Sequence, residues 1–119
     1  MIKRSAIVRS GSAEGTPRTQ LDLEIADGFW GRSRGLLGRH SLRERWGLWL
    51  SPCNSVHCCF MRFSIDVLYL DAEQNIIKIR HRLRPWRWSV CWQAKSVIEL
   101  AAGECRRLGI QPGDTIQCE

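Results

Sequence analysis

Asp66 opens the apolar run Ile65-Asp66-Val67-Leu68-Tyr69-Leu70, on the strand face that also carries Leu68 and Leu70. A carboxylate placed there needs a partner or a raised pKa, because burying an unpaired charge is costly. The expected partner is an arginine, which makes Asp66 a residue that holds structure together. Upstream, His57, Cys59 and Met61 alternate on one face of a strand read over Val56–Phe63, with Cys53 nearby. Imidazole, thiolate and thioether would suit Cu(I) or Zn(II). Cysteine and methionine are also ordinary core residues, and the plainer reading is a packed face. His57 and Cys58 are neighbours on opposite faces of the strand, so a Cys–His nucleophile fails on geometry.

Lys78, Arg80, Arg82, Arg84 and Arg87 form a basic row, and Trp86, Trp88 and Trp92 interleave with its end. Cations for phosphates and rings for bases are the means of single-strand nucleic-acid binding. The plainer alternative is a solvated sheet face whose arginines cover the tryptophan rings. No acid occurs from Ile76 to Ser96, which keeps a nucleic-acid interface as an alternative. With few phosphate contacts, the expected binding is weak and lost at physiological salt. Gly-Lys-Ser/Thr, G-x-G-x-x-G, G-x-S-x-G and H-E-x-x-H are all absent, so the common nucleotide and hydrolase signatures are missing.

The elements that position these residues read mostly as strands. Ala6–Arg9 and Gln20–Ala26 flank a Gly/Ser-rich stretch and can pair. Leu21, Leu23 and Ile25 share one face while Asp22 and Glu24 share the other. Asp27 can cap a helix running to about Arg39, with Phe29, Ser33, Leu36 and Leu37 on one side and Gly38 as its stop. Trp46–Leu50 predicts a short strand closed by Ser51-Pro52, and Ile65–Asp71 a central strand apolar on both faces. A turn over Ala72–Asn75 predicts a hairpin with Ile76–Leu83, in which Ile77, Ile79 and Leu83 face in while Lys78, Arg80 and Arg82 face out. Val97–Leu100 predicts a strand, Glu104–Leu108 a short helix ended by Gly109, and Thr115–Cys118 a final strand after the turn Pro112-Gly113-Asp114.

At 119 residues, with 44% hydrophobic and 25% charged side chains, the chain has room for one domain, 1–119, with its own core. Its charge of +6 reflects fifteen arginines against three lysines, and invites an anionic small molecule or an acidic partner. No run approaches the ~20 apolar residues of a membrane span. Met1-Ile2-Lys3-Arg4-Ser5 does not lead into an apolar stretch, so the expected location is the cytoplasm, with all six cysteines reduced. No C-x-x-C occurs, and no metal or other cofactor is expected.

The order of motifs resembles the bacterial and archaeal family called domain of unknown function 192. Gly35-Leu36-Leu37-Gly38-Arg39 is similar to the family's Gly-Leu-Met-Gly-Arg. His57-Cys58-Cys59-Phe60-Met61-Arg62-Phe63-Ser64-Ile65-Asp66-Val67 is similar to its His-Thr-Phe-x-Met-Arg-Phe-Pro-Ile-Asp-Val. Leu83–Arg87, Val97–Gly103 and Gly109–Asp114 follow in the family's order, and the resemblance covers about residues 20–118. Ser64 stands where proline is usual, and Cys58-Cys59 replaces a Thr-aromatic pair, so the cysteine pair lies outside the pattern. The resemblance implies a compact β fold with one or two short helices. The expected class is therefore α+β, mainly β: an antiparallel or mixed sheet, barrel-like. Arg39, Arg62 and Glu99 are, like Asp66, charged members of these motifs, and together the four are expected to line a polar pocket that takes an anion on arginine forks. A binding or accessory module without catalysis is the leading reading. A register-fixing ion-pair network is its bland counterpart. A hydrolase using Asp66 and Glu99 stays open, since sequence gives no distance between them.

Overall fold

The computed structural model describes residues 2–12, 15–26, 42–57 and 63–119. The strands there are β1 (Ile2–Arg9), β2 (Pro17–Ala26), β3 (Trp46–Leu50), β4 (Ser55–His57), β5 (Ile65–Leu70), β6 (Ile76–Leu83), β7 (Trp88–Val90), β8 (Ser96–Ala101) and β9 (Thr115–Cys118), with the helix α1 (Glu104–Leu108) before the last. Seven strands form one sheet in the order β6-β5-β8-β3-β2-β1-β9, and β4 and β7 form a separate two-stranded ribbon. β2 and β3 lie parallel, and the other neighbours are antiparallel. The helix expected from Asp27 to about Arg39 falls between β2 and β3, outside the described residues.

The sheet curls until its two end strands meet. Ile76 N–H donates to Asp114 O, Gly113 N–H to Ile76 O and Ile116 N–H to Gln74 O, while Thr115 Oγ1 donates to Asn75 Oδ1. These bonds join the start of β6 to β9 and make a half-barrel. Its concave face holds Ala6, Val8, Leu21, Leu23, Leu68, Leu70, Ile98, Leu100 and Cys105, closed by Ile76 and Ile116 from the two sheet ends. The opposite face of the middle strands carries Trp46, Leu48, Leu50, Val67, Tyr69 and Val97, packed with Val56 and Cys91 from the ribbon side. Both faces being covered explains why every residue of β3 and β5 is buried. At Gly47 a Cβ would stand 2.6 Å from Leu100 Cδ2 and 2.9 Å from Ile98 Cγ2. Gly47→Ala is therefore expected to destabilise by about 1–3 kcal/mol through overpacking, read from urea unfolding.

β6 departs from the expected alternation at two places. Against β5, Tyr69 pairs with Lys78 and Leu70 with Ile76, leaving Ile77 as an extra residue; a second extra residue falls between Arg80 and Leu83. Each bulge shifts the side-chain alternation by one position. Ile77, expected inside, is thus exposed, while Ile79 packs on the concave cluster and Leu83 on the opposite one. β4 covers only Ser55–His57, and residues 58–62 of the longer strand expected there, including Cys58, Cys59, Met61 and Arg62, lie outside the described residues. The ribbon strand β7 has no counterpart in the sequence pattern: its tryptophan faces solvent and its serine faces the core, the reverse of the usual arrangement.

Candidate functional site

Asp66 is fully buried on the concave face, and its partners are backbone amides rather than the expected arginine. Oδ1 accepts from Arg82 N–H at 2.9 Å, and Oδ2 accepts from Gly103 N–H at 3.1 Å and Cys105 N–H at 3.0 Å. Arg82 has φ 51° in the second β6 bulge, and Gly103 has φ 89° as the residue that caps α1 without a side-chain bond of its own. One carboxylate from β5 therefore fixes the bulge and caps the helix by way of a residue far away in sequence. The Cys105 thiol beside it is pushed up by burial, reinforced by the Asp66 charge.

Glu99 stands on the other side of the same sheet. It pairs with Val67 across β5 and with Leu48 across β3, so it shares their face, while Asp66 pairs with Leu100 and points the opposite way. The sheet separates the two acids. Of the four residues expected to line one pocket, Asp66 and Glu99 are not brought together, and Arg39 and Arg62 lie outside the described residues.

Around Glu99 the structure gathers a polar group that no motif in the sequence marks. Glu99 is only 6% exposed, and burial raises its pKa from 4.5 to about 8, so at neutral pH it favours the protonated form. No cation among the described residues pairs with it. The Tyr69 hydroxyl is buried on the same face and, among the described residues, makes no hydrogen bond of good geometry, although Ser89 lies beside it. Burial raises the Tyr69 pKa first of all, with Cys91, Cys53 and Glu99 close enough to add to the rise. Lys78 covers the ring, its Nζ 5.6 Å from the centroid, and donates to Val90 O at 3.3 Å, tying β6 to the ribbon. The signal that would have found this group is the chain's single tyrosine, set in a strand otherwise aliphatic apart from Asp66.

The basic row does not lie on one strand face. Arg80 pairs with Val67 and shares its face with Lys78, but Arg82 sits in the bulge with its N–H committed to Asp66. Arg84, Trp86 and Arg87 belong to a turn closed by Arg87 N–H to Arg84 O at 3.2 Å, and Trp88 stands on the ribbon. A separate cleft of about 200 Å³ opens between Lys3, Arg4, Asp22, Glu24, Arg43 and Trp46. That volume is below the ~300 Å³ of small ligand pockets, and none of the expected site residues lines it. Among the described residues no three His, Cys, Asp or Glu side chains gather as a metal site, and no helix is long and apolar enough to cross a membrane.

These features define a small, mainly β domain: a half-barrel with a ribbon laid over one face and a buried carboxyl on that face. The chain belongs to the domain of unknown function 192 family, described as an uncharacterized ACR, whose model matches residues 11–118. It is 34% identical to a UPF0127 protein of Thermococcus sibiricus over 103 residues, 82% of this chain and 66% of that relative, and so spans about two thirds of the relative's length. It is 35% identical to a UPF0127 protein of Pyrococcus abyssi over 104 residues, 80% of this chain and 84% of that relative. These sequence relatives are archaeal rather than bacterial. The fold is shared with two bacterial crystal structures. A Sinorhizobium meliloti protein provisionally named a transcription regulator has a TM-score of 0.87 at 22% identity, covering 98% of this chain and 94% of its own. A protein of unknown function from Novosphingobium aromaticivorans has a TM-score of 0.79 at 18% identity, covering 97% and 84%. At these identities the likeness carries the fold alone.

Proposed function

We propose that the protein is a non-catalytic module that binds a small oxyanion at the Glu99–Tyr69 group, with Arg39 and Arg62 supplying the cationic forks. The observation that carries this reading is a buried carboxyl that favours the protonated form near neutral pH, on the same face as a buried phenol that makes no hydrogen bond of good geometry among the described residues. A neutral carboxyl and a phenol are both O–H donors, and a guanidinium binds carboxylate or phosphate through paired N–H bonds. Asp66 is left out of the site, because its oxygens already serve three backbone amides. The same placement weighs against hydrolysis by an Asp66–Glu99 pair, since two catalytic carboxyls must converge on one reacting atom. The cytoplasm is the proposed location, supported by the free thiols of Cys53, Cys91, Cys105 and Cys118.

Thermal unfolding with inorganic phosphate or acetate tests the reading. Saturating anion is expected to raise the melting temperature below the Glu99 titration near 8 and to lose that effect above it. Tyr69→Phe is expected to weaken binding about five- to tenfold by removing one donor, and Arg62→Ala to weaken it further. No rise with either anion, or a rise indifferent to both substitutions and to pH, defeats the proposal.

A further inference from the structure

The β4–β7 ribbon and the turn that follows it carry two large exposed rings. Along 88–92 the side chains alternate outward and inward: Trp88 is 71% exposed, Ser89 is buried, Val90 half-buried, Cys91 buried and Trp92 78% exposed. Trp88 stands on β7 and Trp92 in the turn directly after it, which Ala94 N–H closes on Cys91 O at 3.0 Å, so both exposed rings lie at this end of the ribbon. Two exposed indoles four residues apart, on a strand and the turn that follows it, are unusual for a surface that meets only water.

The charge around this face selects its occupant. From Ile76 to Ser96 the chain has six cations and no acid, and Lys78, Arg80, Arg87 and Lys95 are all exposed. A second copy docking here by the same face would set cation against cation. Single-stranded nucleic acid calls for a groove that tracks the backbone between the rings, whereas these indoles stand on the outside of a ribbon laid over the half-barrel. Amphipathic indoles flanked by basic side chains are the chemistry of a bilayer interface, where the ring sits among headgroups and the cations meet anionic lipid.

We propose that the Trp88–Trp92 end of the ribbon is a peripheral docking surface for anionic lipid membranes. The affinity rests on two shallowly inserted rings and on surface cations worth about fivefold each near an anionic leaflet, so it weakens as salt rises.

Co-sedimentation of the full chain with large vesicles tests this. One set is phosphatidylcholine alone, and the other is phosphatidylcholine mixed with phosphatidylserine. Binding is expected to the mixed vesicles only, to fall with added salt, and to drop at least tenfold in the Trp88→Ala/Trp92→Ala double variant. Both residues are exposed, so an unchanged melting temperature verifies that the variant is folded. Lys78→Gln or Arg87→Gln is expected to reduce binding several-fold. Failure to bind anionic vesicles, equal binding to both compositions, or binding indifferent to the two tryptophans overturns the proposal. So does tight binding of a labelled single-stranded oligonucleotide that survives physiological salt and depends on Trp88 and Trp92. Neither readout involves Glu99, so this test and that of the oxyanion site fail separately.

Discussion

Asp66→Ala is expected to destabilise the protein by about 4 kcal/mol or more, near the whole stability of a small domain. The buried carboxylate accepts from Arg82, Gly103 and Cys105 N–H groups, and a hydrogen bond to a charged group contributes about 1.5–3 kcal/mol. Alanine removes all three acceptor contacts at once and leaves the amides where water has little access. The loss is also geometric. Arg82 and Gly103 hold left-handed backbone conformations that the carboxylate helps to fix, and α1 has no side-chain cap of its own. Asp66→Asn keeps one acceptor oxygen but turns an NH₂ toward an amide donor, so a loss of about 2–3 kcal/mol is expected there. Urea unfolding midpoints rank the three proteins, with the soluble fraction on expression as the readout where alanine prevents folding. A loss below about 1 kcal/mol for alanine would mean that the three bonds are not made in solution.

The part of the fold that the sequence made legible is the part written in local pattern. β3, β5, β8, α1 and β9 fall where short apolar runs and the Pro and Gly punctuation place them, because a run buried on one face or both, ended by a turn residue, is enough to define each. What stayed hidden depends on partners distant along the chain. The bulges at Ile77 and before Leu83 exist only in the register of β6 against β5. The β7 strand inverts the rule that rings face the core, since the ribbon buries Ser89 and turns Trp88 outward. The need of Asp66 for a partner was readable, but backbone amides carry no sequence signature, so an arginine was expected in their place. That Asp66 and Glu99 face apart follows from the β5–β8 pairing, and no pattern within either strand encodes it.

Glu99 is expected to make the protein less stable as pH rises, and Glu99→Gln to remove that dependence. Below 4.5 both the folded and the unfolded chain hold the proton, and the residue imposes no penalty. Between 4.5 and about 8 the unfolded chain releases the proton while the folded chain keeps it, so stability falls with rising pH. Above about 8 both states are ionised and the loss is complete, on the order of 2–4 kcal/mol after allowance for relaxation around the charge. Glu104 works in the opposite sense and in another window. Hydrogen bonds from Arg107 hold its pKa below 4.5, so its contribution is present above that value and fades as pH falls. Urea midpoints near pH 5 and pH 8 should therefore differ in the natural protein, and Glu99→Gln should be the more stable of the two at the higher value. A variant no more stable there would mean that the carboxyl is solvated or paired in solution. If the glutamine variant is stabilised and also keeps phosphate or acetate binding above about pH 8, where the natural protein loses it, then Glu99 opposes folding at the pH where its proton serves the ligand. A burden of that kind is characteristic of a residue kept for binding rather than for the fold.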